Sequence, residues 1–299
     1  MTDGLVLADK PAGMTSHDVV AALRRAWGRP KAGHAGTLDP QATGLLVVAL
    51  GGATRWLPYL PSDKRYRATL RLGLRTDTQD IWGSPLPSSP PAPLPPAREV
   101  KALLEGMTGE RLQVPPMVSA LKHRGRPLYD YARRGQEVDR TARPVRIYAL
   151  SVGRQEGDET EFEVHCSGGT YIRSLCAEAG EALGCGGCLS ALRRTAVGPF
   201  RVEEAARVES LVKEKAAGPR LLGADRSLAH LPGLRVGAAQ EKLLAQGRDL
   251  PWPGGLEGEG PLRVLSDQGG LLALGRRQAS PAGWRLHPER VFHPEGRIA

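Results

Sequence analysis

The chain contains 299 residues, of which 40% are hydrophobic and 24% are charged. This is the composition of an ordinary folded protein, and it excludes a collagen, a coiled coil and a fully disordered chain. Lys and Arg number 41 against 32 Asp and Glu, a formal net charge of +9, which favours anionic partners: nucleic acid first and an acidic membrane surface second.

The longest uninterrupted apolar run spans 45–50, far short of the ~20 residues that cross a bilayer. The N-terminus carries Asp3 and only a short apolar run over 5–8, whereas a signal peptide has a basic start and a longer apolar stretch. The four cysteines lie between 166 and 188, too few and too clustered for a disulfide scaffold of this size. We therefore expect a reduced, cytoplasmic protein without a membrane segment.

The N-terminal third predicts a strand, a helix and a second strand. Residues 3–8 have the pattern of a short strand, and Ser16 is placed as the N-cap of a helix with Asp18 in its first turn. The apolar residues of this helix fall on one face: Val19, Val20, Leu23 and Trp27. A Gly-rich loop over 28–44 then leads into the run LLVVAL, predicted to be a buried strand.

Periodicity predicts further elements in the middle of the chain. They are a half-buried strand over 66–74, a helix over 97–105, paired strands over 144–153 and 160–166, a helix over 170–183 and another over 203–215. The stretch 85–96 holds seven prolines in twelve residues, which excludes a helix or an inner strand and predicts an extended loop.

After about residue 230 the sequence changes to short apolar runs broken by Gly and Pro. The segment RVLSDQGGLLALG predicts a β-hairpin. We therefore expect a small, mostly β domain over 232–299 that follows a larger domain over 1–231. Helices and strands do not alternate strictly, so an α+β fold with a mixed sheet is expected rather than a doubly wound one.

The segment Lys31–Leu46, KAGHAGTLDPQATGLL, holds several chemically active side chains among its glycines. Its polar residues include His34, Thr37, Asp39 and Thr43. An acid held in such a loop beside a buried strand is a candidate catalytic carboxylate, but Asp-Pro also commonly starts a turn. The loop has no second carboxylate, so it does not predict a paired acid–base glycosidase.

Two further segments combine basic and aromatic residues. Lys64–Ala68, KRYRA, places Tyr66 among cations, which suits base stacking in a phosphate-binding field or an edge strand with solvated charges. Ser167–Arg173, SGGTYIR, has the pattern of a helix start that could bind an anion, or of a Gly-rich cap with an ordinary exposed arginine. Arg173 has no acid at i+3 or i+4 and so lacks the commonest local partner.

A basic stretch and two weaker motifs complete the candidates. Residues 119–155 contain nine Lys and Arg against three acids, with three tyrosines among them, a pattern of an RNA-binding surface or of a solvated basic face. Cys185 and Cys188 form a single CxxC without a second pair, which argues against a zinc site. The acidic segment 76–80, TDTQD, fits a self-bonded turn better than a metal loop.

Taken together in this order, the segments resemble the bacterial tRNA pseudouridine-55 synthase family, the TruB type. The resemblance covers about the first 200 residues, and the region 232–299 more loosely resembles the PUA-type RNA-binding domain that ends many of these enzymes. Its motifs are KPAGMTSHDVV at 10–20, GHAGTLDPQATGLL at 33–46, KRYRA at 64–68, LRTDTQD at 74–80, PPMVSALK at 115–122, LYDYARRG at 128–135, GTYIRSL at 169–175 and LRRTAVGPF at 192–200.

The resemblance implies an enzyme that isomerises uridine 55 in the T loop of tRNA to pseudouridine, working as a monomer without a cofactor, a metal or an obligate protein partner. It assigns catalytic roles to Asp39, to Tyr66, which stacks on the base, and to Arg173, which pairs with the aspartate. It assigns substrate binding to His34, which assists base flipping, and to Lys64 beside Tyr66. It also assigns substrate binding to a second active-site tyrosine, Tyr171, and to a leucine that lines the pocket, Leu192.

Several points stay open at the level of sequence. Cys188 stands where the family commonly has His, and the Pro-rich stretch 85–96 matches none of its motifs. The aspartate could attack C1′ of the ribose or abstract a sugar proton. The alternatives are a guide-RNA-dependent synthase, a non-catalytic RNA-binding protein and a zinc-dependent enzyme.

Overall fold

The computed structural model describes residues 3–87, 93–119, 121–214, 220–281 and 283–292. Within these residues the helices are α1 (Ser16–Ala26), α2 (Ala97–Gly106), α3 (Leu128–Ala132), α4 (Ile172–Ala182), α5 (Val208–Lys213), α6 (Ala224–Ser227) and α7 (Ala238–Ala245), with 3-10 segments at Gly51–Tyr59 and Val202–Glu204. In the described part of the chain, no helix is both long and apolar enough to span a bilayer.

The strands of the same residues form mixed parallel and antiparallel sheets, which confirms the predicted α+β class. They are β1 (Gly4–Lys10), β2 (Ala32–His34), β3 (Thr43–Leu50), β4 (Lys64–Leu72), β5 (Gly109–Gln113), β6 (Lys122–His123), β7 (Arg126–Pro127), β8 (Arg143–Glu156), β9 (Glu159–Cys166), β10 (Gly187–Val197), β11 (Phe200–Arg201), β12 (Ala206–Arg207), β13 (Gly233–Val236), β14 (Leu250–Pro251), β15 (Pro261–Ser266), β16 (Leu271–Ser280) and β17 (Gly283–Val291).

The chain divides into two compact units, and unit 1 comprises Met1–Pro40, Leu45–Pro61 and Glu204–Ala299. Its core lies where α1 and α5 pack on β1 and β3. The predicted apolar face of α1 is buried there, and the indole Nε1 of Trp27 donates a 2.7 Å hydrogen bond to the Leu211 carbonyl. The amphipathic pattern of residues 16–27 therefore correctly identified the buried face.

The start of α1 differs from the prediction by one residue. Thr15, not Ser16, is the N-cap: its hydroxyl accepts a hydrogen bond from the Asp18 amide, and the Asp18 side chain accepts one from the Thr15 amide. This capping box satisfies two amides at the open end of the helix. Ser16 is thereby left free to bond elsewhere in unit 1.

The predicted helix over 203–215 is confirmed only in part: α5 lies within it, residues 203–207 are not α-helical, and residue 215 lies outside the described part of the chain. The chain forms a 3-10 turn at Val202–Glu204, then β12, and becomes α-helical only in α5. Ala206 and Arg207 pair in parallel with Ala8 and Asp9 of β1. These backbone hydrogen bonds to a sheet edge override the local helical pattern, which a sequence window cannot foresee.

The C-terminal part of unit 1 contains a five-stranded sheet in the order β13-β15-β16-β17-β14. The predicted hairpin is confirmed as the antiparallel pair β15–β16. One face of the sheet and α7 enclose a small apolar core that includes Val264, Ala273 and Leu286. The described residues after 232 are therefore mostly β, as expected, while the proposed domain boundary at 231/232 stays a prediction.

Unit 2 comprises Gln41–Gly44 and Ser62–Glu203 and contains the antiparallel strand order β10-β4-β9-β8-β5. Thr43 and Gly44 pair in parallel with Arg193 and Arg194 of β10. Gly44 has φ +100°, and a Cβ there would lie 2.3 Å from the Arg194 carbonyl oxygen, so only glycine permits this close approach. The predicted strands and helices of this unit are all confirmed; of the Pro-rich stretch 85–96, residues 88–92 lie outside the described part.

Candidate active site

In unit 1, Asp39 lies in the loop that joins β2 to β3. The two strands pair in antiparallel fashion through His34 and Val48, so the loop is a closed turn held at both ends. Gly36 has φ +109°, a backbone conformation that glycine adopts easily because it has no Cβ atom. Asp39 is half-buried, while the side chain of Leu38 before it is buried.

The residues on both sides of Asp39 are held by hydrogen bonds from the N-terminal segment. The Ser16 hydroxyl bonds to both the amide and the carbonyl of Leu38, at 2.8 and 3.2 Å. The Pro40 carbonyl accepts bonds from the Gly13 amide and from the Lys10 ammonium, both at 2.9 Å. The backbone on either side of the carboxylate is thus anchored to a rigid strand and helix.

Lys10 makes this anchor although it is fully buried. Its ammonium donates to the carbonyls of Pro11, Met14 and Pro40 at 2.8, 2.6 and 2.9 Å. An ammonium has three donors, so these bonds use all of them. A buried charge is tolerated only when it is satisfied in this way, and the lysine joins β1, the start of α1 and the Asp39 loop.

In unit 2, Lys64 and Tyr66 occupy the first half of β4. Tyr66 pairs with Val164 of β9 and with Arg194 of β10 and is 7% exposed. The Lys64 ammonium donates to the Ser62 carbonyl. Burial, and next the positive charge of Arg194, lower the pKa of Lys64 below its ordinary value, against the smaller opposing effects of Cys166 and Asp63. Lys64 is thus a partly buried cation near a second cation.

Tyr171 is the N-cap residue of α4 and is fixed through its backbone. Its amide donates to the Gln113 side chain at 2.8 Å, and the Gln113 amide group donates back to the Tyr171 carbonyl at 3.1 Å. The Gln113 side chain is buried, so this two-way bond resembles one rung of a β-ladder. Gln113 was not among the residues predicted for the site, because its partner lies 58 residues away, beyond the reach of any local pattern.

Arg173, in the first turn of α4, is 3% exposed. Its guanidinium donates to the carbonyls of Thr78 and Val118 at 3.0 and 2.8 Å and lies 3.9 Å from the Asp80 carboxylate. Asp80, which lies 93 residues earlier in the chain, therefore supplies the acidic partner that Arg173 lacks locally. The alternative of an ordinary exposed arginine is wrong.

Asp80 belongs to the segment TDTQD, which forms the predicted self-bonded turn. The Thr76 hydroxyl donates to the Asp80 carbonyl at 2.6 Å, and the Thr78 hydroxyl donates to its carboxylate at 2.7 Å. The Trp82 amide also donates to that carboxylate, at 3.1 Å. Among the described residues, no group of three or more His, Cys, Asp or Glu is placed to hold a metal ion.

Leu192 lies on β10 opposite Ala68 of β4, and its carbonyl accepts a bond from the Thr43 hydroxyl at 3.5 Å. The adjacent strands β4 and β10 therefore carry Lys64, Tyr66 and Leu192. The helix α4, which packs on these two strands, begins directly after Tyr171 and carries Arg173 in its first turn. His34 and Asp39 belong to unit 1. The predicted pairing of Asp39 with Arg173 stays a prediction.

The remaining motifs have simple structural settings. Cys185 and Cys188 are free thiols, and burial raises the pKa of Cys188 to about 11, which disfavours the thiolate that metal binding and redox chemistry require. In the basic stretch 119–155, the exposed Arg133 lies over the Tyr129 ring at 5.4 Å. Tyr148 is 46% exposed, with the Arg146 guanidinium 5.7 Å from its ring centroid.

Comparisons with known proteins cover nearly the whole chain. Residues 24–172 match the N-terminal domain model of the TruB family of pseudouridylate synthases, and residues 173–220 match the model for the C-terminal domain of tRNA pseudouridylate synthase B. A tRNA pseudouridine synthase B from Aromatoleum aromaticum is 46% identical over 295 residues, covering 97% of this chain and 93% of that protein. Its counterpart from Methylobacillus flagellatus is 39% identical, covering 98% and 96%.

Solved structures with the same fold include a chain of a Cbf5-Nop10-Gar1 complex. It superposes with a TM-score of 0.76 and 30% identity, over 98% of this chain and 85% of that chain. A chain of an H/ACA RNP bound to a substrate RNA containing 2′-deoxyuridine superposes with a TM-score of 0.74 and 28% identity, over 99% of this chain and 87% of that chain.

Proposed function

This chain belongs to the TruB family of pseudouridylate synthases, and from that premise we propose that it isomerises uridine 55 in the T loop of tRNA to pseudouridine. The observation that carries the proposal is the 46% identity to a tRNA pseudouridine synthase B across 97% of the chain. The proposal is supported by the anchored Asp39 loop and by the buried Arg173, which is bonded to two backbone carbonyls, because catalytic groups must be held close to their productive geometry.

The reaction breaks the bond from C1′ of the ribose to N1 of uracil, turns the ring, and joins C5 to C1′. The proton leaves C5 and N1 gains one, so atoms and electrons balance without an oxidant, a reductant or water. In the proposed mechanism the Asp39 carboxylate either attacks C1′ or removes a sugar proton. Both routes need the carboxylate ionised, and no cofactor enters either route.

Arg173 is proposed to keep Asp39 ionised, because a neighbouring cation favours the charged form of a carboxylic acid. A guanidinium can do this only if it is held in place. Arg173 is held by the carbonyls of Thr78 and Val118 and by the nearby Asp80 carboxylate. Asp80 would therefore act as a positioning residue for Arg173, not as a second acid in the reaction.

The target base has to leave the stack of the folded T loop, which costs a few kcal/mol. Stacking on the Tyr66 ring would return about 1–3 kcal/mol. In this proposal His34 fills the vacated space, Lys64 binds a phosphate, and Tyr171 and Leu192 line the pocket. The nearby positive charge of Arg194 supports the phosphate-binding role of Lys64, because two neighbouring cations attract an anion more strongly than one.

The tRNA partner is proposed to lie against the basic stretch 119–155 and the PUA-type region 232–299, with its T stem-loop at the catalytic residues. We propose a monomer that works in the cytoplasm, where tRNA is found. We also propose 1–231 and 232–299 as the catalytic and RNA-binding domains. The surface of the C-terminal sheet carries Arg277, whose guanidinium lies 3.9 Å from the centre of the Trp284 ring, and such pairs suit contact with RNA.

A guide-RNA-dependent synthase is the alternative within the same fold, because the superposed chains come from a Cbf5-Nop10-Gar1 complex and an H/ACA RNP. Their identity to this chain is 30% and 28%, against 46% for the tRNA enzyme from Aromatoleum aromaticum. The identity therefore favours a tRNA synthase that needs no guide.

The test is to incubate the purified chain alone with an unmodified tRNA transcript that carries 5-tritiated uridine. We expect stoichiometric tritium release, with pseudouridine mapped to position 55 only. Absence of product with the chain alone, and its appearance on adding a guide RNA, would establish the alternative. Tight tRNA binding without product under either condition would establish a non-catalytic RNA-binding protein.

A further inference from the structure

Ser16 makes an unusual contact for a residue in the first turn of a helix. Its side chain is 2% exposed, and its hydroxyl bonds twice to one residue of a distant loop. The Leu38 amide donates to the Ser16 oxygen at 2.8 Å, and the Ser16 hydroxyl donates to the Leu38 carbonyl at 3.2 Å. A single hydroxyl thus satisfies both backbone groups of the residue before Asp39.

This contact acts on the backbone of Asp39 itself. The Leu38 carbonyl belongs to the planar peptide group that joins Leu38 to Asp39. A hydrogen bond to the carbonyl oxygen therefore fixes the orientation of this whole peptide group. On the other side, Pro40 restricts the conformation of the residue before it. The Pro40 carbonyl is held in turn by Gly13 and Lys10. Ser16 is therefore the anchor on the N-terminal side of Asp39.

We propose that Ser16 is a positioning residue for the catalytic carboxylate: it sets the direction of the Asp39 side chain by holding the Leu38–Asp39 peptide. This inference rests on the proposed function, since it assigns Ser16 a role only if Asp39 reacts. Without the hydroxyl, the peptide loses its anchor and a buried amide loses its partner. A displacement of about 1 Å at a reacting group can cost roughly 100-fold in rate.

The neighbouring residue provides a matched control. Thr15 caps the same helix by accepting from the Asp18 amide at 3.0 Å, and no described bond joins its side chain to the Asp39 loop. Thr15→Ala removes the helix cap and keeps the loop anchor. Ser16→Ala removes the loop anchor and keeps the cap. The pair separates loss of helix stability from loss of carboxylate positioning.

The experiment measures the single-turnover rate at saturating tRNA, the Kd for tRNA and the Tm of the full chain for both variants. We expect Ser16→Ala to slow the reaction about 10- to 100-fold with Kd within twofold of wild type. We expect Thr15→Ala to lower Tm by about 2–4 °C with the rate within twofold of wild type. Hydrogen exchange at the Leu38 amide should rise in Ser16→Ala alone.

Three results would overturn the inference: a Ser16→Ala rate within twofold of wild type, an equal loss of rate in both variants, or a loss confined to tRNA affinity. If Ser16→Ala does not fold, Ser16→Cys carries the same expectations, because a thiol of similar size is only a weak donor. An inactive wild-type chain would instead refute the proposed function. An active Asp39→Asn variant would refute the role of Asp39, so the failures are distinguishable.

Discussion

The guanidinium of Arg173 lies 3.9 Å from the carboxylate of Asp80 and is bonded to two backbone carbonyls, in a setting where only 3% of the arginine is exposed. A buried cation needs such partners, because an unsatisfied charge in the interior is costly. The arrangement fixes the guanidinium before any substrate arrives.

We predict that Asp80→Asn slows turnover by about 10-fold or more, which corresponds to about 1.4 kcal/mol in the barrier. The amide keeps the shape of the side chain and removes the negative charge that holds Arg173. Single-turnover tritium release measures the effect. Asp77→Asn is the control, because Asp77 bonds to the Ser84 amide in the same loop. Equal losses in the two variants would mean that the loop, not the charge on Asp80, matters.

We predict that Asp39→Asn binds tRNA with wild-type affinity and loses turnover. The amide is nearly the same size, so the loop and its anchors persist, but an uncharged group can neither attack C1′ nor remove a proton. Tritium release from 5-tritiated uridine tRNA and filter binding measure the two quantities. Activity within tenfold of wild type would remove Asp39 from the mechanism.

We predict a steep fall of tRNA affinity with salt, because each phosphate contact contributes a slope of roughly −0.7 to −0.9 in log K against log salt. Replacing the exposed Arg133 and Arg134 by Glu reverses their charge. It should weaken tRNA binding and make the slope shallower by the contribution of about two phosphate contacts, with little change in the rate of the chemical step. Reversing Arg98 and Lys101, exposed on α2 outside the basic stretch, is the matched control. A salt-independent affinity would contradict an electrostatic interface.

We predict that Glu289→Gln destabilises the protein by about 1 kcal/mol at pH 7. Burial acts to raise the pKa of Glu289, but hydrogen bonds from Arg276 at 2.6 Å and from the Tyr59 hydroxyl at 3.0 Å outweigh it and lower the pKa below 4.5. A carboxylate with a lowered native pKa stabilises the fold above its unfolded pKa.

The sign of this effect gives its pH window. The stabilisation from Glu289 is present above about pH 4.5, the unfolded value, and is lost as pH falls through the lower native value. The difference in free energy of unfolding between wild type and Glu289→Gln should therefore be full at pH 7 and shrink below pH 4.5. Urea titrations at the two pH values measure it, and a difference that persists in acid would point to packing rather than charge.

Local patterns in the sequence determined most of the secondary structure. Strand alternation predicted β4, the helical stripe predicted α4, and turn residues predicted the β15–β16 hairpin, because these periods are set by the backbone geometry of the element itself. The ordered motifs were sufficient to indicate the family. The first part of the segment 203–215 was predicted wrongly because Ala206 and Arg207 pair with β1, almost 200 residues away, and no local window contains that information.

The tertiary structure alone decided how the candidate residues are held. The Ser16–Leu38, Gln113–Tyr171 and Asp80–Arg173 contacts join residues 22, 58 and 93 positions apart. No periodicity encodes such pairs, because they depend on sheet register and on which buried donors still need an acceptor once the strands are paired. The sequence by itself therefore determined which side chains are available for chemistry, and only the folded chain decided which neighbours hold them in place.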